Sequence, residues 1–289
     1  MPRLPERIIP MIAFDSLSFT YQGSDTPALS DISFSVEEGG FAGVIGPAGA
    51  GKTTLARVIS GVIPHHYAGD YYGRVTVAGL DPVDVPLTDL SRQVGLVFQD
   101  VESQIVSSVV EDELLFGLEN FGVPHAEIPA RLASALEQTG IADLRDRSID
   151  SLSGGQRQKV AIASIIALRP RVLILDEPTG ELDPASSRQV FSLLRELNET
   201  WGITVIVIEQ KIMLLSEYAR QLIVLHGGRI AFQGPTRQVL SHADELLGLG
   251  VNCPRVSRLS RLLSDRLGKD LPVCVNLDES EEQVRRCLA

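Results

Sequence analysis

Apolar and polar positions divide the chain into regions with different periods. In residues 11 to 45, IAFDSLSFTY and ALSDISFSV alternate apolar with polar residues around the turn-forming QGSDTP, which predicts antiparallel strands. FAGVIG, RVTVAG and VGLVF predict further strands, residues 105 to 169 predict mostly helix, and VLILD, TVIVIE, QLIVL and RIAFQG return to strand. This order indicates an alternating α/β sheet with an antiparallel flap in front and a helical insertion.

Three polar residues, Glu209, Gln210 and Lys211, end the apolar run VIVI at 205–208. A run of that kind is typical of a strand buried on both faces of a parallel sheet. Ligands bind at the carboxyl ends of such strands, so position alone makes Gln210 a candidate site residue.

A glycine-rich segment, GPAGAGKTT at 46–54, lies between a predicted strand and a predicted helix. Glycines there let backbone amides close around phosphate oxygens, and the helix N-terminus faces the anion. Lys52 would neutralise the β and γ phosphates, and the Thr53 hydroxyl would hold Mg²⁺. The alternative is a plain glycine-rich turn, but the position between strand and helix favours a phosphate site. The residues predicted to bind nucleotide here are Gly46, Pro47, Gly49, Gly51, Lys52, Thr53 and Thr54.

Two carboxylates, Asp176 and Glu177, follow the apolar run VLIL. Asp176 would bind Mg²⁺ through water, and Glu177 would polarise the attacking water. Strands ending in acids are common, so the pair is strong evidence only together with the P-loop pattern of the glycine-rich segment at 46–54.

A second anion-binding helix end is predicted at LSGGQ, residues 152–156. Ser153 with Gln156 three residues later fits a capping box, and Gly154 and Gly155 leave amides exposed at the helix start. The simpler alternative is a helix cap without a ligand.

These motifs, together with Gln99 in VFQD, occur in an order that resembles the nucleotide-binding subunit of an ABC transporter over about residues 12 to 235. The resemblance implies a P-loop ABC ATPase with a RecA-like parallel sheet core, an antiparallel β subdomain, a helical subdomain and a small C-terminal helical extension. We expect an ATPase domain at 11–235, with its helical subdomain at about 100–157, and a C-terminal subdomain at 236–289. The implied cofactors are ATP and Mg²⁺.

Further roles follow from the resemblance alone. Two subunits of this family close head to tail, so that the P-loop of one and the LSGGQ of the other enclose each ATP. Tyr21 resembles the aromatic that stacks on adenine, although it also fits a core position at a strand end. Gln99 resembles the residue that contacts the metal and links the γ-phosphate site to the membrane partner. Asp183 resembles an acid that contacts the opposite subunit, and before Pro184 it equally fits a helix N-cap.

The stretch DVESQIVSSVVEDELLFGLENFGVP after Gln99 is similar to ATPases of energy-coupling factor transporters, as are VNCPRVSRLSRLL and LPVCVNLDESEEQV near the C-terminus. That group drives uptake of vitamins or transition-metal ions through a membrane coupling protein and a substrate-binding membrane protein. Residues 100–120 would grip the coupling helices through an exposed apolar patch. The cargo itself is chosen by a different polypeptide.

Gln210 departs from the family pattern, in which a histidine usually follows this strand and hydrogen-bonds the γ-phosphate. An amide donates a hydrogen bond but neither becomes cationic nor exchanges a proton near neutral pH. We therefore expect a slow site in this chain and a paralogous partner ATPase that carries the histidine. The alternative is that glutamine is tolerated because it keeps the donor.

The resemblance implies a peripheral protein on the cytoplasmic face of the membrane, and the composition agrees with this expectation. The 289 residues contain no long apolar span, and MPRLPERIIP lacks the apolar core of an export signal. The net charge of −11 argues against nucleic acid as the main partner. Cys253, Cys274 and Cys287 lack metal-ligand spacing, and His65–His66 fits a solvated loop.

The alternatives to an energy-coupling factor ATPase are a conventional ABC importer ATPase, a soluble ABC-type ATPase acting on nucleic acid or ribosomes, and a nucleotide sensor with little turnover.

Overall fold

The computed structural model describes residues 10–288. Residues 1–9, which contain most of the stretch that argues against an export signal, and residue 289 lie outside the described part. The strands are β1 (Ile12–Tyr21), β2 (Leu29–Val36), β3 (Phe41–Ile45), β4 (Gly69–Val77), β5 (Val94–Val97), β6 (Val172–Asp176), β7 (Thr204–Ile208), β8 (Gln221–His226) and β9 (Arg229–Pro235). The helices are α1 (Lys52–Ile59), α2 (Val62–His65), α3 (Leu87–Ser91), α4 (Val101–Gln104), α5 (Val110–Asn120), α6 (Ile128–Gln138), α7 (Gly154–Ile166), α8 (Pro184–Trp201), α9 (Ile212–Tyr218), α10 (Thr236–Leu240), α11 (Ala243–Gly248), α12 (Arg255–Leu267) and α13 (Leu277–Leu288).

The larger sheet has the strand order β5-β6-β7-β3-β8-β9, with parallel neighbours except for the antiparallel pair β8 and β9. Every residue of β3, β6 and β7 is buried, so the parallel sheet predicted from the apolar runs is confirmed. The register pairs Ile208 with both Val44 and Asp176. Parallel strands bring their carboxyl ends to one edge, which therefore carries the residues that follow β3, β6 and β7.

A three-stranded antiparallel sheet, in the order β2-β1-β4, lies in front of the larger sheet and confirms the predicted flap. Phe14 and Phe34 are paired across β1 and β2, and their rings stack with centroids 4.5 Å apart. The last residue of β1 is Tyr21.

Two apolar layers cover opposite faces of the larger sheet, and β7 contributes to both. Val205 and Val207 pack with the layer formed by α5 to α8, whereas Ile206 and Ile208 pack with α1 and the antiparallel sheet. The two-residue period of a strand produces this division, because successive side chains point to opposite faces.

The region predicted to be mostly helical contains α5, α6 and α7, but its first long helix starts at Val110 instead of near residue 105. The Glu113 carboxylate accepts the N–H groups of Val106 and Ser107 at 3.0 and 2.9 Å and keeps them outside the helix. The short helices α2, α3 and α4 are not evident in the sequence, because four or five residues are too few to show a helical period.

Helices α10 to α13 form the C-terminal part of the described chain. Arg237 in α10 donates two hydrogen bonds of 2.8 Å to the Glu279 carboxylate in α13, and the pairing holds the pKa of Glu279 below its ordinary value. The domain boundary at residue 235 stays a prediction. Within residues 10–288, no helix combines the length and apolar character needed to cross a bilayer.

Candidate functional site

The loop from Gly46 to Gly51 connects β3 to α1 at the carboxyl edge of the sheet. Gly46 and Gly51 have φ values of 155° and 100°. A Cβ at Gly46 would lie 2.2 Å from the Leu225 carbonyl oxygen, and one at Gly51 would lie 2.6 Å from the Ala28 carbonyl oxygen. Both positions therefore need glycine for conformation and for space.

Lys52 is the first residue of α1, and its side chain folds back over the loop with only 6% exposure. The ammonium donates to the carbonyl oxygens of Gly46 and Pro47 at 2.9 and 3.0 Å. These acceptors are neutral, so within residues 10–288 no carboxylate is in hydrogen-bond contact with the buried positive charge. An anionic group at the loop fits this arrangement.

A cleft of about 290 Å³ opens beside the loop. Its volume and its backbone-rich wall fit a phosphate chain at a helix N-terminus. It is lined by Ala28, Ala48, Gly49, Gly51, Lys52, Thr53, Thr54, Glu177 and Gln210.

Asp176 and Glu177 reach this edge from β6 and differ in their surroundings. Burial raises the pKa of Asp176 above its ordinary value, and a hydrogen bond from the Thr53 hydroxyl opposes the shift. Oxygen donors of this kind suit Mg²⁺, whose charge would favour the ionised carboxylate. Glu177 has a φ of 50° and donates its N–H to the Ile208 carbonyl oxygen at 2.8 Å. A left-handed glutamate persists only where its surroundings fix it.

The Glu177 carboxylate lies between two glutamine side chains. Gln99, which follows β5, donates its amide to Oε2 at 3.1 Å, and Gln210, which follows β7, donates to Oε1 at 2.7 Å. The structure thus brings together the three side chains that the sequence analysis assigns to the surroundings of the γ-phosphate. Both carboxylate oxygens are engaged at the mouth of the cleft.

Tyr21 lies beside the first turn of α1. Its hydroxyl is 3.1 Å from the Thr54 hydroxyl and accepts a hydrogen bond of 3.1 Å from Arg57. Its ring meets those of Phe19 and Tyr67 edge-on. These contacts fit the core role considered for Tyr21, and stacking on adenine stays a prediction.

Ser153 caps α7 in the predicted capping box. Its side chain accepts the Gln156 N–H at 3.3 Å, and its own N–H donates to the Gln156 side-chain oxygen at 2.9 Å. Residues 153–156 are all described, and none lines the phosphate cleft of this chain. Asp183 caps α8 by accepting the N–H groups of Ala185 and Ser186 at 2.9 and 3.0 Å, which confirms the capping role considered for it.

Glu209 and Lys211 contact the segment after Glu177, a role that the sequence did not reveal. The only signal was an acid placed directly at the end of an apolar strand, and its partner Thr179 is 30 residues away. Within residues 10–288, no group of three His, Cys, Asp or Glu side chains is arranged to hold a metal ion. His65 instead contacts the Pro82 carbonyl oxygen at 3.0 Å.

Known proteins are similar to this chain in sequence and in fold. Residues 29–180 match the ABC transporter family. A putative ABC transporter ATP-binding protein from Pyrococcus abyssi is 38% identical over 256 residues, which cover 89% of this chain and 91% of that protein. The energy-coupling factor transporter ATP-binding protein EcfA1 from Lacticaseibacillus paracasei is 39% identical over 256 residues, which cover 89% of this chain and 90% of that protein.

The solved structure of cbiO1 from Clostridium perfringens, part of the ABC transporter complex cbiONQ, has a TM-score of 0.75 and 30% identity and covers 88% of this chain and 99% of that one. Several other relatives are longer, and this chain spans 40% to 46% of their length. The family match covers more than half of the chain. The similarities to the Pyrococcus abyssi protein, to EcfA1 and to cbiO1 each extend over most of this chain and most of the other protein. The chain therefore belongs to the ABC transporter family, as an ATP-binding subunit of a transporter.

Proposed function

We propose that this chain hydrolyses ATP to power uptake of a vitamin or a transition-metal ion through an energy-coupling factor transporter. The observation that carries the catalytic half of the proposal is the Glu177 carboxylate, held by Gln99 and Gln210 at the mouth of the phosphate cleft. The transport half is supported by the similarity to EcfA1 and to cbiO1 over most of the chain.

The polar side chains in and around the cleft have separate tasks. Lys52 binds phosphate oxygens, and Thr53, Asp176 and Gln99 hold Mg²⁺, which when bound neutralises charge on the phosphates. Glu177 accepts a proton from the attacking water, and its two amide partners orient it. Tyr21 stacks on adenine from the side of α1.

A second ATPase subunit completes the site in this proposal. The helix start at Ser153–Gln156 lies outside the cleft of its own chain and serves the cleft of the partner. A paralogue is favoured over an identical copy, because Gln210 replaces a histidine here and a paralogue restores one full site.

The membrane partner docks on the apolar surface of residues 100–120, where Val106 and Phe116 are 62% and 51% exposed, and on the adjoining Phe98, which is 46% exposed. A groove of about 190 Å³ adjoins it, lined in part by Phe98, Phe121 and Ile165. Exposed aromatic groups beside a groove are typical of a helix-binding surface. This contact holds the chain peripherally at the cytoplasmic face of the membrane.

Replacing Val106 and Phe116 together by glutamate is expected to abolish co-purification with membrane proteins from detergent extracts, because two charges would have to be buried against the partner. Leu262→Glu is the matched control, since Leu262 is 61% exposed on α12, outside this surface. Equal recovery of membrane partners with both variants would contradict the docking surface. If ribosomes or nucleic acid co-purify instead, a soluble ABC-type role replaces this proposal.

Gln210→His in the assembled complex is expected to raise ATP turnover by about tenfold, because a histidine supplies a proton-exchanging donor beside Glu177. Steady-state phosphate release measures the effect. Gln238→His, at an exposed position on α10, is the control. Unchanged turnover in Gln210→His would mean that glutamine serves as well as histidine and that the site is not weakened.

A further inference from the structure

Three consecutive side chains after β7 contact the segment Glu177–Gly180. Gln210 donates to the Glu177 carboxylate, as described above. Glu209 accepts hydrogen bonds from Thr179, and Lys211 donates to the carbonyl oxygens of Thr179 and Gly180 at 2.7 and 3.2 Å. The residues that follow β7 thus hold the segment that follows the neighbouring strand β6.

Glu209 is 1% exposed and uses both carboxylate oxygens. Oε1 accepts the N–H of Thr179 at 3.0 Å and also its hydroxyl. Oε2 accepts the N–H groups of Gln210 and Lys211 at 3.1 and 3.3 Å. All four partners are donors, so an amide at this position would turn an NH₂ group toward at least one N–H.

Thr179 is fully buried, and its N–H, its hydroxyl and its carbonyl oxygen all form hydrogen bonds. Its N–H and hydroxyl donate to Glu209, while its carbonyl oxygen accepts from Lys211. Two turn hydrogen bonds continue the connection, from Gly180 N–H to the Glu177 carbonyl oxygen and from Leu182 N–H to that of Thr179. The connection therefore runs from Glu177 toward the turn that carries Asp183.

We propose that Glu209 and Lys211 are positioning residues that fix Thr179 and thereby place the Glu177 carboxylate in the cleft. The inference rests on the proposed role of Glu177 in hydrolysis. Glu177 needs such a device, because its left-handed backbone at φ 50° is costly unless neighbouring contacts hold it. Small displacements of a reacting group lower reaction rates steeply. Loss of the Glu209 or the Lys211 contact with Thr179 should therefore lower turnover more than it lowers ATP affinity.

A buried glutamate with four hydrogen bonds also stabilises the fold, and the chain offers a matched control for that effect. Asn198 is 5% exposed and donates to the carbonyl oxygens of Gly39, Gly40 and Ile203 near the opposite end of β7. Asn198→Ala removes three side-chain hydrogen bonds without touching Glu177 or Thr179.

The test compares Glu209→Gln, Lys211→Met and Asn198→Ala in the assembled complex. We expect Glu209→Gln and Lys211→Met to lower kcat by about tenfold or more while KM for ATP stays within about twofold. Asn198→Ala should lower Tm and leave kcat of the folded complex unchanged. Thr179→Ser keeps the hydroxyl and should retain turnover, whereas Thr179→Val should resemble Glu209→Gln.

Hydrogen exchange of residues 177–183 provides a readout that does not depend on hydrolysis. Glu209→Gln should accelerate exchange in this segment by about tenfold relative to Asn198→Ala, because one of the two oxygens that accept from Thr179, Gln210 and Lys211 becomes an NH₂ group and the contact with Thr179 is weakened. Wild-type kcat and wild-type exchange in both Glu209→Gln and Lys211→Met would overturn the inference, as would an equal loss of kcat in Asn198→Ala. If the wild-type complex does not hydrolyse ATP, the proposed function fails, and the exchange rates alone decide whether Glu209 fixes the segment.

Discussion

Lys52→Ala is expected to abolish ATP hydrolysis and ATP-driven uptake, with a loss of about 10³-fold or more in turnover, because it removes the buried cation that faces the phosphate cleft. The variant also loses the hydrogen bonds to Gly46 and Pro47, so the loop itself loosens. Nucleotide affinity and phosphate release should therefore fall together. Both are measured on the complete complex with Mg²⁺ present.

Lys269→Ala is the control for this change, since Lys269 is exposed in the C-terminal part of the chain. Tm of both variants should be recorded, so that loss of binding is separated from loss of folding. Persistent Mg²⁺-dependent hydrolysis in Lys52→Ala would show that the cleft is not the nucleotide site, and the proposed function would then fall.

Glu177→Gln is expected to lower hydrolysis by about 10³-fold while ATP binding is kept, because the amide has the same shape but cannot take a proton from water. The two glutamine partners further disfavour an amide at position 177. Gln99 and Gln210 both donate to the carboxylate, so an amide at 177 turns its NH₂ group toward one of them unless that partner rotates.

Single-turnover phosphate release together with equilibrium ATP binding measures the two parts of this expectation. Glu196→Gln is the matched control, because Glu196 is an exposed glutamate on α8. Retained hydrolysis in Glu177→Gln would remove Glu177 as the proton acceptor. Loss of ATP affinity together with hydrolysis would indicate a structural role for this carboxylate.

The parts of the site that the sequence predicted are local in the chain. Gly46 to Thr54 forms the loop and helix start beside the cleft within nine residues, and Ser153 with Gln156 forms its capping box within four. The parallel sheet was predictable for the same reason, because each buried strand appears as an uninterrupted apolar run. Tyr21 and the domain boundary at 235 stay predictions.

The parts that the sequence did not reveal depend on residues far apart in the chain. Glu209 and Thr179 follow two neighbouring strands, β7 and β6, and form a hydrogen bond there. No residue spacing within either strand predicts this pair. Gln99 and Gln210 were each predicted as site residues, but their common attachment to Glu177 depends on the strand order. The delayed start of α5 at Val110 depends on one carboxylate, Glu113, folding back on the chain before it.

The alternation of Val205, Ile206, Val207 and Ile208 between two apolar layers has a consequence for insertions and deletions. Sliding β7 by one position would exchange its two faces, and the same slip would send a different member of the Glu209–Lys211 triplet toward Glu177. Branched aliphatic side chains buried in the two apolar layers therefore select which polar group arrives there. A one-residue change in loop length at Gly202 is consequently more disruptive to chemistry than many substitutions nearer the cleft.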